Sequence, residues 1–498
     1  MSVGDWVAVT SYFVLVVLVG SGCIRLARLP PSHLLRDWSA CYLAGQIVLL
    51  LLTLSTGFVP WTHDHLLPAV VVIAVVVACA DASRVRSGWR VALVVLATVG
   101  SLLLTIALFP SIAMLVHRTP AIETDARGIW LFHGKALFTA SGIAPAFFTD
   151  PLHWWSSPDY PLLLPAQAAW SSLLVGRWGE LSCRAFLLFH FAAWFRLVHL
   201  TLTAKGYPWW LALFLTGAFL CQGVSWFTPG FAYVSGQADY HCFVPLALAM
   251  LVLAVPVATA AYGNHRAVED HRSLVVLLLA YAACTKSEGT AFAALFAGSW
   301  LAWSAVRCAR LRGLRALVAA IPAARTLWIF AGLCGLLPVA LWAIFKALHG
   351  MGSNLHLLER ATTPGLLGEL LSARLPTVLR SVRDNGQMQD TYGLLIVLLA
   401  LVACSVVLRF FGKRSVGTRR AEALAALAWL VVVVLICMTY VLTPHDYLFH
   451  MQTSVTRLLF FPHLIVFVLC VFRLDVLWEA ISPWLRSSPI SGVQPSTR

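Results

Sequence analysis

Apolar runs of about 20 residues, each bounded by a short polar stretch, recur along the whole chain. They fall at roughly 6–24, 39–59, 66–80, 91–116, 241–261, 273–285, 290–306, 326–348, 391–410, 421–442 and 457–473. A further apolar stretch, 161–224, is broken at 176–184 and 204–208. Lipid offers no partner for a backbone amide, so only closed hydrogen-bonding structures cross it, and Leu/Val/Ala-rich runs close as helices. The pattern predicts an all-α polytopic membrane protein.

Basic residues orient the spans. The loop 25–38 holds Arg25, Arg28 and Arg36, and the loop 81–90 holds Arg84, Arg86 and Arg90. The loop 307–325 is Arg-rich and has no acid, and 409–420 holds Arg409, Lys413, Arg414, Arg419 and Arg420. All four are expected in the cytoplasm. The connections 61–65, 117–160, 350–390 and 443–456 then fall outside, with the N-terminus. The first run has no basic stretch before it and no small-residue cleavage site after it, so it reads as a true span. The alternation holds through 161–224 only if its three pieces make two crossings, one piece being short or re-entrant. The expectation is about 13 crossings and a cytoplasmic C-terminus. The tail 474–498, rich in Ser and Pro near its end, reads as disordered.

Composition narrows the class. Hydrophobic residues make up 60% of the chain and charged residues 11%, with a mean hydropathy of +0.83, which leaves no room for a sizeable soluble domain. The net charge of +14 is carried by Arg between apolar segments. It is read as topological, and no nucleic-acid partner is expected. The twelve cysteines contain no CxxC pair and mostly sit inside apolar runs. They read as small buried hydrophobes, with no disulfide and no zinc site expected.

The polar chemistry gathers on the outside of this topology. The first long loop carries Glu123, Asp125 and Lys135 and closes with Ser157-Pro158-Asp159-Tyr160-Pro161. A carboxylate at Asp125 could deprotonate an acceptor hydroxyl near the water interface; it would equally suit a helix N-cap. Asp239 opens a span and again suits either role. Lys286 and Glu288 lie between two adjacent apolar runs, close to membrane depth, where ionisable groups are expensive and functional by default; a structural ion pair is the alternative. If 446–458 is helical, His450, Ser454 and Arg457 fall within about 40° of one another and present donors to a phosphate; Arg457 could instead snorkel to the interface. In the second long loop, 366–375 suits an amphipathic helix in the interface. Arg360, Arg374, Arg380 and Arg383 of that loop run against the topology rule, which makes an anionic headgroup or phosphate a natural partner.

The residues resemble bacterial membrane glycosyltransferases of the GT-C superfamily, near the protein O-mannosyltransferases and the aminoarabinose transferases. Asp125, Ala126, Trp130, Lys135 and Ala136 resemble an Asp-Ala-x-x-x-Trp-x-x-Lys-Ala stretch, with two more residues between Trp130 and Lys135, and Pro158 to Pro165 match the Pro-Asp-Tyr-Pro-Leu-Leu-Leu-Pro that follows it. Ser157 departs, where His is usual. Ala238-Asp239 matches part of a Tyr-Ala-Asp motif, and Thr285 to Gly289 match Thr-Lys-Asn-Glu-Gly except at Ser287. Thr443, Pro444, Asp446, His450, Thr453, Ser454, Arg457 and Leu458 match the last motif. The resemblance implies a GT-C-like catalytic core over 91–473, additional helices over 1–90, and short non-spanning helices soon after the first loop. It implies sugar transfer from a polyprenyl-phosphate donor to an envelope glycan, lipid or protein on the outer face of the cytoplasmic membrane. Asp125 would be the general base. Lys135, Asp159, Tyr160, Asp239, Lys286, Glu288, His450, Ser454 and Arg457 would bind substrate. Some relatives use a divalent cation, Mg or Mn, and some do not; Glu123, Asp125 and Asp239 could hold one, but no spacing demands it. The rival classes are a transporter or flippase of a lipid-linked or anionic substrate, which would predict an internal repeat that is not found, and a non-sugar transferase, which would want an activated nucleophile.

Overall fold

The computed structural model describes residues 3–29, 33–84, 126–220, 238–253, 271–312, 325–352, 357–409, 418–444 and 446–487. Every element among them is helical. Seven helices are long and apolar enough to cross a membrane, and shorter apolar helices stand between them. Large apolar side chains such as Val72, Ile396 and Leu399 are 60–68% exposed on the flanks of the bundle. Such a surface suits lipid as solvent, and the chain is an all-α, multi-pass membrane protein.

Helix α1 (Val3–Leu26) is followed by a short α2 (His33–Arg36), then α3 (Trp38–Ser55) and α4 (His63–Arg84). Helices α1 and α3 pack antiparallel at close range. A Cβ on Gly45 would stand 2.0 Å from the Val16 carbonyl, so only glycine permits that approach. At the same depth the Tyr12 hydroxyl donates to Gln46 Oε1 at 2.9 Å. The end where α1 begins and α3 finishes is the upper end of the bundle.

A π-helical turn (Ala126–Leu131) leads into α5 (Phe132–Thr139), α6 (Pro145–Thr149) and a 3-10 turn (Pro151–Ser156). Next come α7 (Leu163–Val175), α8 (Glu180–Ala204) and α9 (Trp209–Leu220), so the breaks fall where the sequence places them. Helix α7 has 13 residues, about 20 Å, too short to cross a hydrocarbon core of about 30 Å. Both its flanks lie at the upper end. Leu162 lines a cavity with Leu50 and Leu54 near the finish of α3, and Arg177 pairs with Asp5 near the start of α1 at 2.8 Å. Helix α8 then descends, placing Arg196 3.2 Å from Asp37 at the lower end of α3. Of the three pieces of 161–224, α7 thus begins and ends at the upper end.

The remaining helices are α10 (Ala238–Leu253), α11 (Arg272–Thr285), α12 (Ser287–Arg312), α13 (Arg325–Ala331) and, after a π-turn, α14 (Leu337–Leu348). They are followed by α15 (Leu357–Thr362), α16 (Leu366–Asp384), α17 (Gly386–Arg409), α18 (Thr418–Leu442) and α19 (Tyr447–Ser487). The predicted amphipathic segment is the start of α16, which buries Leu370, Val378 and Val382 and leaves Arg380 and Arg383 exposed. The candidate span 91–116 lies outside the described residues; the tail, expected to be disordered, instead continues α19 as helix to Ser487, and 488–498 lie outside the described residues.

A belt of buried polar groups ties four helices together below the upper end. The Gln167 amide donates to the Tyr281 hydroxyl at 3.2 Å. His190 Nδ1 donates to the Phe186 carbonyl at 3.0 Å, which leaves Nε2 to accept from Tyr281. The Tyr42 hydroxyl lies 3.3 Å from His190 Nδ1. In a lipid-surrounded core, such bonds between helices specify one arrangement of the bundle.

A buried ion cluster at the upper end

Helix α11 ends at Thr285, whose hydroxyl turns back to the Tyr281 carbonyl at 2.7 Å. Helix α12 starts at Ser287, so the break is one residue long. Lys286 occupies it in an extended conformation, φ −153° and ψ 154°. Gly289 permits the tight return: a Cβ there would meet the Ala282 carbonyl at 2.1 Å and Cys242 Sγ at 2.6 Å. Lys286 and Glu288 are therefore presented side by side against the first turn of α10.

That turn carries Asp239, 2% exposed. Lys286 Nζ lies 2.8 Å from Asp239 Oδ1 and 3.2 Å from Glu288 Oε1. Arg457, nearly three turns below the head of α19, brings Nη1 to 3.8 Å from Asp239 Oδ2. Two cations and two carboxylates thus share one buried site. Glu288 Oε2 is also buried and has no hydrogen-bond partner among the described residues. Lys286 is engaged by two carboxylates, whereas Arg457 makes a longer contact and keeps 21% of its side chain exposed. A guanidinium presents a planar fork of donors, which suits a two-pronged contact with a phosphate.

The loop before α7 closes over this cluster. Tyr160 stacks on Trp130 with centroids 5.5 Å apart and planes 10° from parallel. Burial pushes the Tyr160 phenol above its usual range, and the nearby Glu288 adds to the rise. The Asp159 carbonyl accepts from Trp342 Nε1 at 3.1 Å and from Lys346 Nζ at 3.3 Å. Between this loop and α14 lies a cavity of about 230 Å³. Its wall is mostly apolar, including Leu50, Leu54, Leu162 and Val339, with Ser287 and Thr290 on the cluster side and Lys346 among its lining residues. Ser157, the departure from the resembled motif, is a left-handed turn residue at φ +51° that ends the 3-10 turn.

The structure brings together Asp159, Tyr160, Asp239, Lys286, Glu288 and Arg457 from the residues singled out by sequence. It does not bring in the other three described ones. Lys135 is exposed on α5. His450 Nδ1 lies 3.2 Å from the Thr443 hydroxyl. Ser454 donates to the His450 carbonyl at 2.7 Å, so Tyr440 donates to Ser454 at 2.9 Å. His450 and Ser454 thus brace the head of α19, and of that three-donor face only Arg457 reaches the cluster. Asp446 caps α19 through the Leu448 and Phe449 amides at 2.9 and 3.3 Å. Asp125 and Glu123 lie outside the described residues; Asp125 immediately precedes the π-turn that carries Trp130.

Sequence reasoning missed Lys346, which reads as an interfacial lysine ending an apolar run; Arg374, for which an anionic headgroup or phosphate is the natural partner by sequence, donates to the Val441 and Thr443 carbonyls. A serine–histidine pair at His133 and Ser156, 3.0 Å apart, has the form of an activated nucleophile. Ser156, however, donates its proton to the His153 carbonyl at 2.6 Å, so His133 donates to it and cannot serve as its base. Of the three candidate cation ligands, Glu123 and Asp125 lie outside the described residues; the oxygens of the third, Asp239, face Lys286 and Arg457, and no group of three metal-ligating side chains converges among the described residues.

Comparison of the chain with protein-family models, with curated proteins and with solved structures returns no match. The chemistry is therefore argued from the site: a buried, charge-balanced polar centre with one part-exposed guanidinium, beside an apolar pocket lined in part by a further cation.

Proposed function

We propose that the chain is a membrane glycosyltransferase that takes a sugar from a polyprenyl-phosphate donor and passes it to an envelope glycan, lipid or protein. The upper end of the bundle would face the outside of the cytoplasmic membrane, with the N-terminus outside and the C-terminus in the cytoplasm. The observation that carries the proposal is the adjacency of the Asp239–Lys286–Glu288–Arg457 cluster to the apolar cavity beside Lys346. A lipid-linked phosphate needs such a boundary: cations for its head and a dry wall for its tail.

In the transfer step, the acceptor hydroxyl oxygen attacks the anomeric carbon from the face opposite the phosphate. The new carbon–oxygen bond forms as the sugar–phosphate bond breaks, with inversion, and the electron pair leaves on the lipid phosphate. Asp125, which directly precedes in sequence the turn whose Trp130 stacks on Tyr160, takes the hydroxyl proton. Arg457 stabilises the charge that develops on the leaving phosphate, and Lys346 stands ready at the cavity to do the same. Asp239 orients Arg457 and, with Glu288, holds Lys286 in place.

A second reading, a transporter or flippase, draws on the buried polar belt of Tyr42, His190 and Tyr281, because polar groups at membrane depth often line a path. Reconstitution separates the two. Vesicles holding the purified protein are supplied with a panel of polyprenyl-phosphate sugars and envelope acceptors. Glycosylated acceptor with donor consumed supports transfer. Movement of intact donor between leaflets without product supports transport and removes the transferase.

A further inference from the structure

Arg374 sits on the amphipathic α16, away from the ion cluster, yet it holds the corner from which Arg457 descends. Its Nη1 donates to the Thr443 carbonyl at 2.9 Å and to the Val441 carbonyl at 3.3 Å. Both carbonyls belong to the finish of α18, where helical acceptors lack partners and the dipole is negative, so a cation is favoured there. The same guanidinium lies 5.0 Å above the ring of Tyr447, the first residue of α19. One planar group thus grips the last carbonyls of one helix and the first aromatic ring of the next. The corner is continued by the Thr443–His450 and Tyr440–Ser454 contacts at 3.2 and 2.9 Å. Less than one further turn down α19 stands Arg457, whose contact with Asp239 is 3.8 Å.

We infer that Arg374 is a positioning residue of the ion-cluster site: by clamping the α18–α19 corner it sets the height and rotation of α19 that bring Arg457 to Asp239. The inference deepens the proposed function and rests on it for its ligand. It adds that the second long loop acts on the site through the corner and not by touching the substrate. A lysine cannot replace Arg374, because it offers neither the planar fork nor the stacking face.

The test uses full-length protein in nanodiscs, with hydrogen exchange read over 440–458 and binding of a polyprenyl phosphate without sugar measured alongside. Arg374→Gln and Arg374→Lys are expected to speed exchange at the head of α19 and to weaken binding by about tenfold, with exchange over α1 and α3 unchanged. In an Arg457→Gln background, Arg374→Gln is expected to weaken binding no further, since its effect passes through that side chain. Unchanged exchange at 440–458, or losses that simply multiply in the double variant, overturn the inference. If the intact protein does not bind polyprenyl phosphate, the proposed donor falls, and the exchange measurement alone decides whether Arg374 sets the corner.

Discussion

Lys286 Nζ and Asp239 Oδ1 meet at 2.8 Å, joining the one-residue break between α11 and α12 to the first turn of α10 across 47 positions of sequence. Both side chains are at least nine-tenths buried. Stranding either charge by removing its partner costs about 3–5 kcal/mol, whereas removing both costs much less. Asp239→Asn and Lys286→Gln are each expected to lower the melting temperature of the purified protein well below that of the intact chain. The double variant is expected to recover part of the loss. Additive losses would show that the pair is not the unit described.

Arg457 is the more exposed cation of the cluster, with 21% of its side chain accessible against 10% for Lys286. Arg457→Gln should fold with little change in melting temperature and lose sugar transfer by about 10²-fold or more, as when a donor to a developing charge is removed. A variant that transfers normally removes Arg457 from the mechanism. Arg457→Lys should recover only part, because a point charge does not reproduce a two-pronged contact.

The cavity tests the tail end of the donor. Ala343→Phe projects a ring into about 230 Å³ of space without touching the ion cluster. It is expected to raise the donor KM by about tenfold and to leave kcat nearly unchanged, the signature of lost uniform binding. Unaltered KM with a long-chain donor would place the tail elsewhere.

Burial lowers the His133 pKa from 6.5 to about 3, and the nearby His153 contributes. The folded state keeps this ring neutral while the unfolded chain takes up a proton below pH 6.5. The associated stability is complete above that pH and is lost as pH falls towards 3, at a rate approaching roughly 1.4 kcal/mol per pH unit. His133→Gln should therefore melt with a flatter dependence on pH between 4.5 and 6.5 than the intact protein. Matching slopes would assign the acid sensitivity to other groups.

Much of the architecture could be read from local pattern. The apolar runs mark the helices, the breaks in 161–224 mark the ends of α7 and α8, and the spacing of Leu366, Leu367, Leu370 and Leu371 marks the amphipathic start of α16. Lys286 and Glu288 also stood out, because charges between two apolar runs have no cheap explanation. What stayed hidden is long-range. Spacing along α19 puts His450, Ser454 and Arg457 on one face, but it cannot show that Thr443 and Tyr440 of the preceding segment already occupy the first two. Lys346 ends an apolar run like many interfacial lysines, and only the fold sets it beside Asp159 and the cavity. Arg374 reads by sequence as a cation for an anionic headgroup or phosphate, and only the fold lays α16 against the finish of α18 and gives it two backbone carbonyls.

The measurement that bears most directly on the central claim is transfer of a radiolabelled sugar from polyprenyl phosphate to an envelope acceptor, catalysed by the intact protein and by Asp125→Asn at equal folded concentration. The account predicts an inverted glycosidic product from the intact protein and a loss of about 10²–10⁴-fold in the variant, the usual weight of a general base. Equal product from both would contradict the account by showing that the base lies elsewhere in the site.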